Sequence, residues 1–194
     1  MESEVFFKAM ESLKDWRSHQ PYTDMQRNVL FPEAPADPSL QPTLLVGMGD
    51  FEKAVVALAA YREMREDLWP GMSAVVQVVR NRARAGWFHG SMYENVVAKN
   101  VFPSMTLYGH PDTVRFPDEH DQQFWLFLTM LDGLFNGVVP DNTNGALYYH
   151  WYYSEPVFCG CIAYLSQKQT HQTCAKIGKI LFWKEVVGDN PQMV

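Results

Sequence analysis

The chain is short of several things, and each shortage removes a class of protein. Only three cysteines occur in 194 residues, Cys159, Cys161 and Cys174, an odd set gathered near one end. Such a set is not a disulfide scaffold, although one bridge between Cys174 and an earlier cysteine stays open. No uninterrupted apolar run of about 18 residues occurs, so no membrane-spanning helix and no stable membrane insertion are expected. Charge is sparse and leans acidic: 16 basic residues against 22 acidic ones give a net charge of -6. Nonspecific nucleic-acid binding needs a basic field, so a nucleic-acid partner is not expected. The opening Met1-Glu2-Ser3-Glu4 lacks the basic start and apolar stretch of a secretory signal. The expectation is a protein that is cytoplasmic as synthesised. No P-loop, dinucleotide glycine fingerprint, H-E-x-x-H or G-x-S-x-G motif is present, and no cofactor is expected.

What is present is apolar. Hydrophobic residues make up 47 % of the chain and aromatics 14 %, enough for one folded domain with a substantial core. Residues 3–17 fit a short helix, with Val5, Phe6, Ala9, Met10, Leu13 and Trp16 near one face. Residues 18–50 are punctuated by Pro21, Pro32, Pro35, Pro38 and Pro42, which predicts an arm lying over the domain. Residues 51–66 predict a helix capped by Asp50 and interrupted by Trp69-Pro70-Gly71. A second long helix is expected over 71–85, stopping at Gly86, and a short one over Met92 to Val97. A third long helix is expected over 118–136, with Gly133 marking a tight crossing and Gly137 a stop. Pro140 to Gly145 is turn-rich, and 146–151 reads as a strand or extended loop. Residues 158–180 give no clear pattern, and 186–194 read as a surface tail.

Four constellations could carry chemistry. Glu63 ends an Ala/Val/Leu-rich helix, where a low-dielectric cleft would favour a general acid working near neutral pH. The simpler reading is a helix-end charge paired with Arg62 or Arg65. Gln77 and Asn81 stand four residues apart on one helical face. Inward amides need partners, so they either brace loops around Glu63 or bind a polar ligand. Tyr148, Tyr149, His150, Trp151, Tyr152 and Tyr153 offer flat apolar faces with polar handles, suited to sugars or to a core. Cys159, Cys161, His171 and Cys174 have zinc-ligand chemistry at loose spacing, and packing or one disulfide is favoured over a metal.

These blocks in their order resemble the SleB-like cell wall hydrolase family, which includes spore-cortex lytic enzymes and phage lysins. Ala59-Ala60-Tyr61-Arg62-Glu63-Met64-Arg65-Glu66-Asp67 is similar to the family's helix ending in E-A-R-G-E, with Glu66 for the glycine and Asp67 for the final glutamate. Ala74 to Arg82 resembles A-V-A-Q-V-V-L-N-R and carries Gln77, Asn81 and Arg82. Asn100 to Met105 loosely resembles the Q-F-S segment and brings in Ser104. Asp141 to His150 matches D-P-T-x-G-A-x-x-Y-H/N, with Asn142 for the proline. Ile177 to Trp183 resembles I-G-x-H-x-F-Y, with Ile180 for the histidine and Trp183 for the tyrosine.

The resemblance spans about residues 52–184. It implies a mainly α (α+β), lysozyme-like single domain over 51–185, with a small extended or β segment near 146–153. Residues 1–50 would form the N-terminal helix and arm, and 186–194 a tail. The implied activity is peptidoglycan cleavage between N-acetylmuramic acid and N-acetylglucosamine by a lytic transglycosylase. Glu63 would be its single acid/base, with Arg65, Gln77, Asn81, Ser104, Tyr148, Tyr149 and His150 binding substrate or supporting the site. The partner would be the glycan strand, met by a monomer after release from the cell or from a phage particle. A hydrolytic muramidase and a non-catalytic glycan-binding or phage structural protein are the alternatives. Because cell walls are often anionic, a neutral or basic groove around Glu63 should interrupt the acidic surface.

Overall fold

The computed structural model describes residues 1–19, 46–64, 69–98, 101–106, 112, 115–151 and 171–185. The proline-rich arm, Arg65 to Asp67, Cys159, Cys161 and the tail lie outside these residues. The elements are α1 (Ser3–His19), α2 (Met48–Glu63), α3 (Trp69–Arg84), a 3-10 turn (Trp87–Gly90), α4 (Met92–Val97), α5 (Pro103–Thr106), α6 (Gln122–Asn136), β1 (Tyr148–Trp151), β2 (His171–Ile177) and β3 (Ile180–Glu185). Among the described residues the protein is therefore mainly helical with one small antiparallel sheet, an α+β fold.

Helix α2 is the centre. Every residue from Ala54 to Arg62 is buried, so the helix has no solvent face and neighbours surround it. Helices α1, α3, α4, α5 and α6 all pack against it. Phe6 of α1 and Tyr61 of α2 both meet Phe124 of α6 edge-on, at centroid distances of 4.9 and 5.2 Å. Helix α3 buries its Val75, Val76, Val78 and Val79, so burial offsets the weak helix propensity of β-branched residues.

Several boundaries differ from expectation. Helix α2 begins at Met48, three residues earlier than expected, with Gly47 in place of Asp50 at the N-cap and no side-chain cap. Asp50 instead sits in the first turn, where its charge faces the positive end of the helix dipole. Trp69, Pro70 and Gly71 do not merely interrupt; they form the first turn of α3, where proline's missing N–H has no helical partner to lose. Helix α6 starts at Gln122 because the Asp121 carboxylate accepts from the Phe124 N–H at 3.0 Å.

Gly133 is tight against the loop that follows its own helix, not a helix crossing: a Cβ there would lie 2.9 Å from Val139 Cγ2. The close approach between helices is at Gly137, which ends α6 at φ 72° with the Arg80 guanidinium of α3 where a Cβ would stand. Gly137→Ala is expected to cost about 1–2 kcal/mol of left-handed strain. Thermal unfolding should then fall by roughly 2–8 °C, and an unchanged midpoint would refute this account of Gly137.

The sheet runs β1-β3-β2, all antiparallel. β1 pairs with β3 through Tyr149 opposite Phe182 and His150 opposite Leu181. β2 and β3 form a two-residue hairpin that Gly178 turns at φ 55°. A register shift between Thr173 and Ala175 breaks the alternation of β2. The second and third strands were not expected from the sequence. Among the described residues Cys174 on β2 is a free thiol, and the earlier cysteines of the bridge left open lie outside them. Its Sγ lies 3.1 Å from the Thr143 carbonyl and 3.4 Å from that of Phe182, beneath the turn before β1.

Candidate functional site

Glu63 is the last residue of α2, at the C-terminal end of the central helix. Its helix is buried almost to that point, and the chain turns away at Met64. Two hydroxyls reach its carboxylate, one to each oxygen. Ser104 Oγ, from α5, donates to Oε1 at 2.5 Å, and Tyr149 OH, from β1, donates to Oε2 at 3.1 Å. Residues 41 and 86 positions away thus converge on one side chain. The Tyr149 hydroxyl titrates well above the ordinary tyrosine range, because it is buried and faces the Glu63 charge. It therefore stays a proton donor through the neutral range.

Arg82 stands behind this pair. Its Nε donates to the Leu147 carbonyl at 2.7 Å and its guanidinium lies over Trp87 and Phe102. Burial lowers its pKa, while Tyr149, Tyr148 and Glu63 favour the cation. Arg82 is thus a buried cation whose charge opposes that of Glu63.

Gln77 and Asn81 brace the turn that delivers Tyr149. Gln77 Nε2 donates to the Pro140 carbonyl at 2.7 Å, and its Oε1 accepts from Asn142 N–H at 2.8 Å. Asn81 Nδ2 reaches Asp141 Oδ2 at 3.0 Å and the Ala146 carbonyl at 3.2 Å. Asp141 accepts in addition from Thr143 N–H, Thr143 Oγ1 and Gly145 N–H. These contacts give both amides bracing partners in the turn.

The aromatic run divides by strand alternation. Tyr149 turns toward Glu63 and packs on Phe182. Tyr148 goes the other way, bonding Glu185 at 3.0 Å and meeting Trp87 and His171 edge-on. His150 Nδ1 accepts from Trp183 Nε1 at 3.2 Å, and burial lowers its pKa, which keeps the ring neutral as that bond requires. So Glu63, Ser104 and Tyr149 form the centre, with Arg82 beside them. Gln77 and Asn81 lie one layer behind, and Tyr148 and His150 lie on the opposite face of β1. Arg65 falls outside the described residues.

Three contributors had a weaker sequence signal. Asp141 stood inside a quoted motif but reads as a turn residue until Asn81 is seen to meet it. Arg82 was matched to a motif without a role. Arg62 reads as a helix-end charge, although an arginine ending a fully buried run already demands fixed partners. Among the described residues no group of three or more His, Cys, Asp and Glu side chains is placed to hold a metal. A groove of about 820 Å³ lined by Phe7, Trp125, Glu119 and Asp132 shares no residue with the Glu63 cluster.

The fold and site define an α+β protein built around one hydroxyl-bracketed carboxylate at the end of its central helix. The chain belongs to the Cell Wall Hydrolase family, whose model matches residues 68–183, more than half of its length. Comparisons with curated proteins and with solved structures gave no match. Family membership makes it an enzyme that acts on peptidoglycan. The matched stretch includes Gln77, Asn81, Ser104, Tyr148, Tyr149 and His150, and begins five residues after Glu63.

Proposed function

We propose that the protein is a lytic transglycosylase that cuts peptidoglycan between N-acetylmuramic acid and N-acetylglucosamine, with Glu63 as its single acid/base. The observation that carries this reading is the pair of hydroxyls on Glu63, one on each oxygen. Hydroxyls both donate and accept. The carboxyl group can therefore give up a proton and regain one without losing either partner. A carboxylate clamped only by cations would be held in one state.

The chemistry follows from that property. Protonated Glu63 donates to the glycosidic oxygen, and the bond from that oxygen to C1 of N-acetylmuramic acid breaks. The carboxylate then takes the proton of the C6 hydroxyl on the same sugar. O6 closes on C1, giving a 1,6-anhydro end and restoring the acid. No water is consumed, so no second carboxylate is needed to activate one. A buried central helix ending in the acid, beside a small antiparallel sheet, supports a lysozyme-like arrangement.

The test is mass spectrometry of the fragments released from purified peptidoglycan. Anhydromuramic ends are expected. Reducing ends, heavier by one water, would instead identify a hydrolytic muramidase. Glycan binding without any product would return the protein to a binding role.

A further inference from the structure

We propose that Arg62 is a positioning residue of this site, setting the place from which Ser104 addresses Glu63. The proposal rests on the reading of Glu63 as the acid/base. Arg62 directly precedes Glu63 on α2 and is only 2 % exposed. Its Nε donates to the Arg115 carbonyl at 2.9 Å. One terminal nitrogen lies 3.3 Å from both the Ser104 carbonyl and the Met105 sulfur. The guanidinium also lies over the Phe116 ring, 5.1 Å from its centroid.

Adjacent residues of α2 therefore grip one serine from two ends. Arg62 holds its carbonyl and Glu63 receives its hydroxyl. Helix α5 spans only four residues, too short to hold its place by its own hydrogen bonds. The position of Ser104 then depends on an external anchor, and Arg62 supplies it from the same rigid helix that carries the acid. The planar fork of arginine fixes direction as well as charge, which lysine does not.

The test is a cycle of Arg62→Lys, Ser104→Ala and the double variant, read in two ways. On soluble glycan strands, Arg62→Lys should lower kcat about tenfold with KM within about twofold, as small misplacement of a reacting group does. In the Ser104→Ala background the same change should cost less than about twofold, because the group it positions is gone. A merely structural arginine would give losses that multiply.

The second reading needs no turnover. The Glu63 carboxyl is titrated by carbon-13 NMR. Ser104→Ala removes a bond to the carboxylate, so the midpoint should move to higher pH. Arg62→Lys, which keeps the charge, should move it the same way, and the double variant no further than Ser104→Ala alone. Tyr149 and Arg82, which also bear on Glu63, are untouched by these changes. An unmoved midpoint in Arg62→Lys, or multiplying losses in kcat, overturns the proposal. Variant midpoints that move as expected, beside a wild type that yields no product, overturn the transglycosylase reading alone. Should the lysine chain not fold, Met105→Leu removes one acceptor of Arg62 at nearly constant volume and should shift the midpoint in the same direction.

Discussion

Glu63→Gln is expected to reduce fragment release from peptidoglycan by about a thousandfold or more, the upper part of the range for losing a general acid. The change keeps shape and replaces one carboxylate oxygen with an amide nitrogen. Ser104 can still donate to the remaining oxygen, and the amide can donate to the Tyr149 hydroxyl, which also accepts. The unfolding midpoint should therefore stay within a few degrees of wild type, since no buried group loses its partner. Loss of turnover with an intact fold is the combination that identifies a chemical role. Residual activity above about one tenth, in a chain that unfolds like wild type, would remove Glu63 from the chemistry. General acid catalysis contributes at least about a hundredfold where it operates. Glycan binding measured in the same variant should be nearly unchanged, separating lost chemistry from lost affinity.

How much of this was legible beforehand depends on the range over which each feature is decided. The helices α2 and α3 were readable because their determinants are local: an apolar run in one, a valine-rich face with glycine and proline at its ends in the other. The need of Gln77 and Asn81 for partners was also readable, since inward amides always need them. Their choice of partner was not, because Pro140, Asp141 and Ala146 lie sixty or more positions away. Boundaries failed for a related reason. Asp50 has the chemistry of a cap, but its own N–H and that of Phe51 both bond the Gly47 carbonyl, so the first turn already begins at Met48. The hairpin of β2 and β3 was hidden by the irregularity at Thr173 to Ala175, which breaks the two-residue period that announces a strand.

The centre of the site shows the same limit more sharply. Glu63, Ser104 and Tyr149 come from a helix end, a four-residue helix and a strand, and nothing local links them. Only the ordered motifs of a family resemblance placed all three on one list. That resemblance carried no separation of roles, and strand alternation supplied one. Tyr149 and Tyr148 are neighbours in sequence, yet only the first is aimed at Glu63 by the register against Phe182, while the second bonds Glu185.

Asp141→Ala should be the most damaging single change to stability among the residues behind the site. The carboxylate gathers four bonds, from Thr143 twice, Gly145 and Asn81. Removing it leaves backbone N–H groups and the Asn81 amide without that acceptor in a half-buried turn. A loss of about 2–4 kcal/mol follows, lowering the unfolding midpoint by roughly 5–15 °C. The effect must depend on pH with a definite sign. Burial alone would raise the Asp141 pKa, but the bonds from Thr143, Asn81 and Gly145 outweigh it and hold the folded value below the ordinary one. A depressed folded pKa contributes stability that is present above the unfolded value of about 3.9. It is lost as pH falls through the folded one. The gap between wild type and Asp141→Ala should therefore be widest near neutrality and narrow as the medium is acidified below pH about 4. Thermal unfolding of both proteins across that range reads it directly. A gap that stays constant into acid would show that the carboxylate's charge contributes nothing. Catalysis should fail with it below the unfolding temperature, because this turn sets the start of β1 and so the reach of Tyr149 to Glu63.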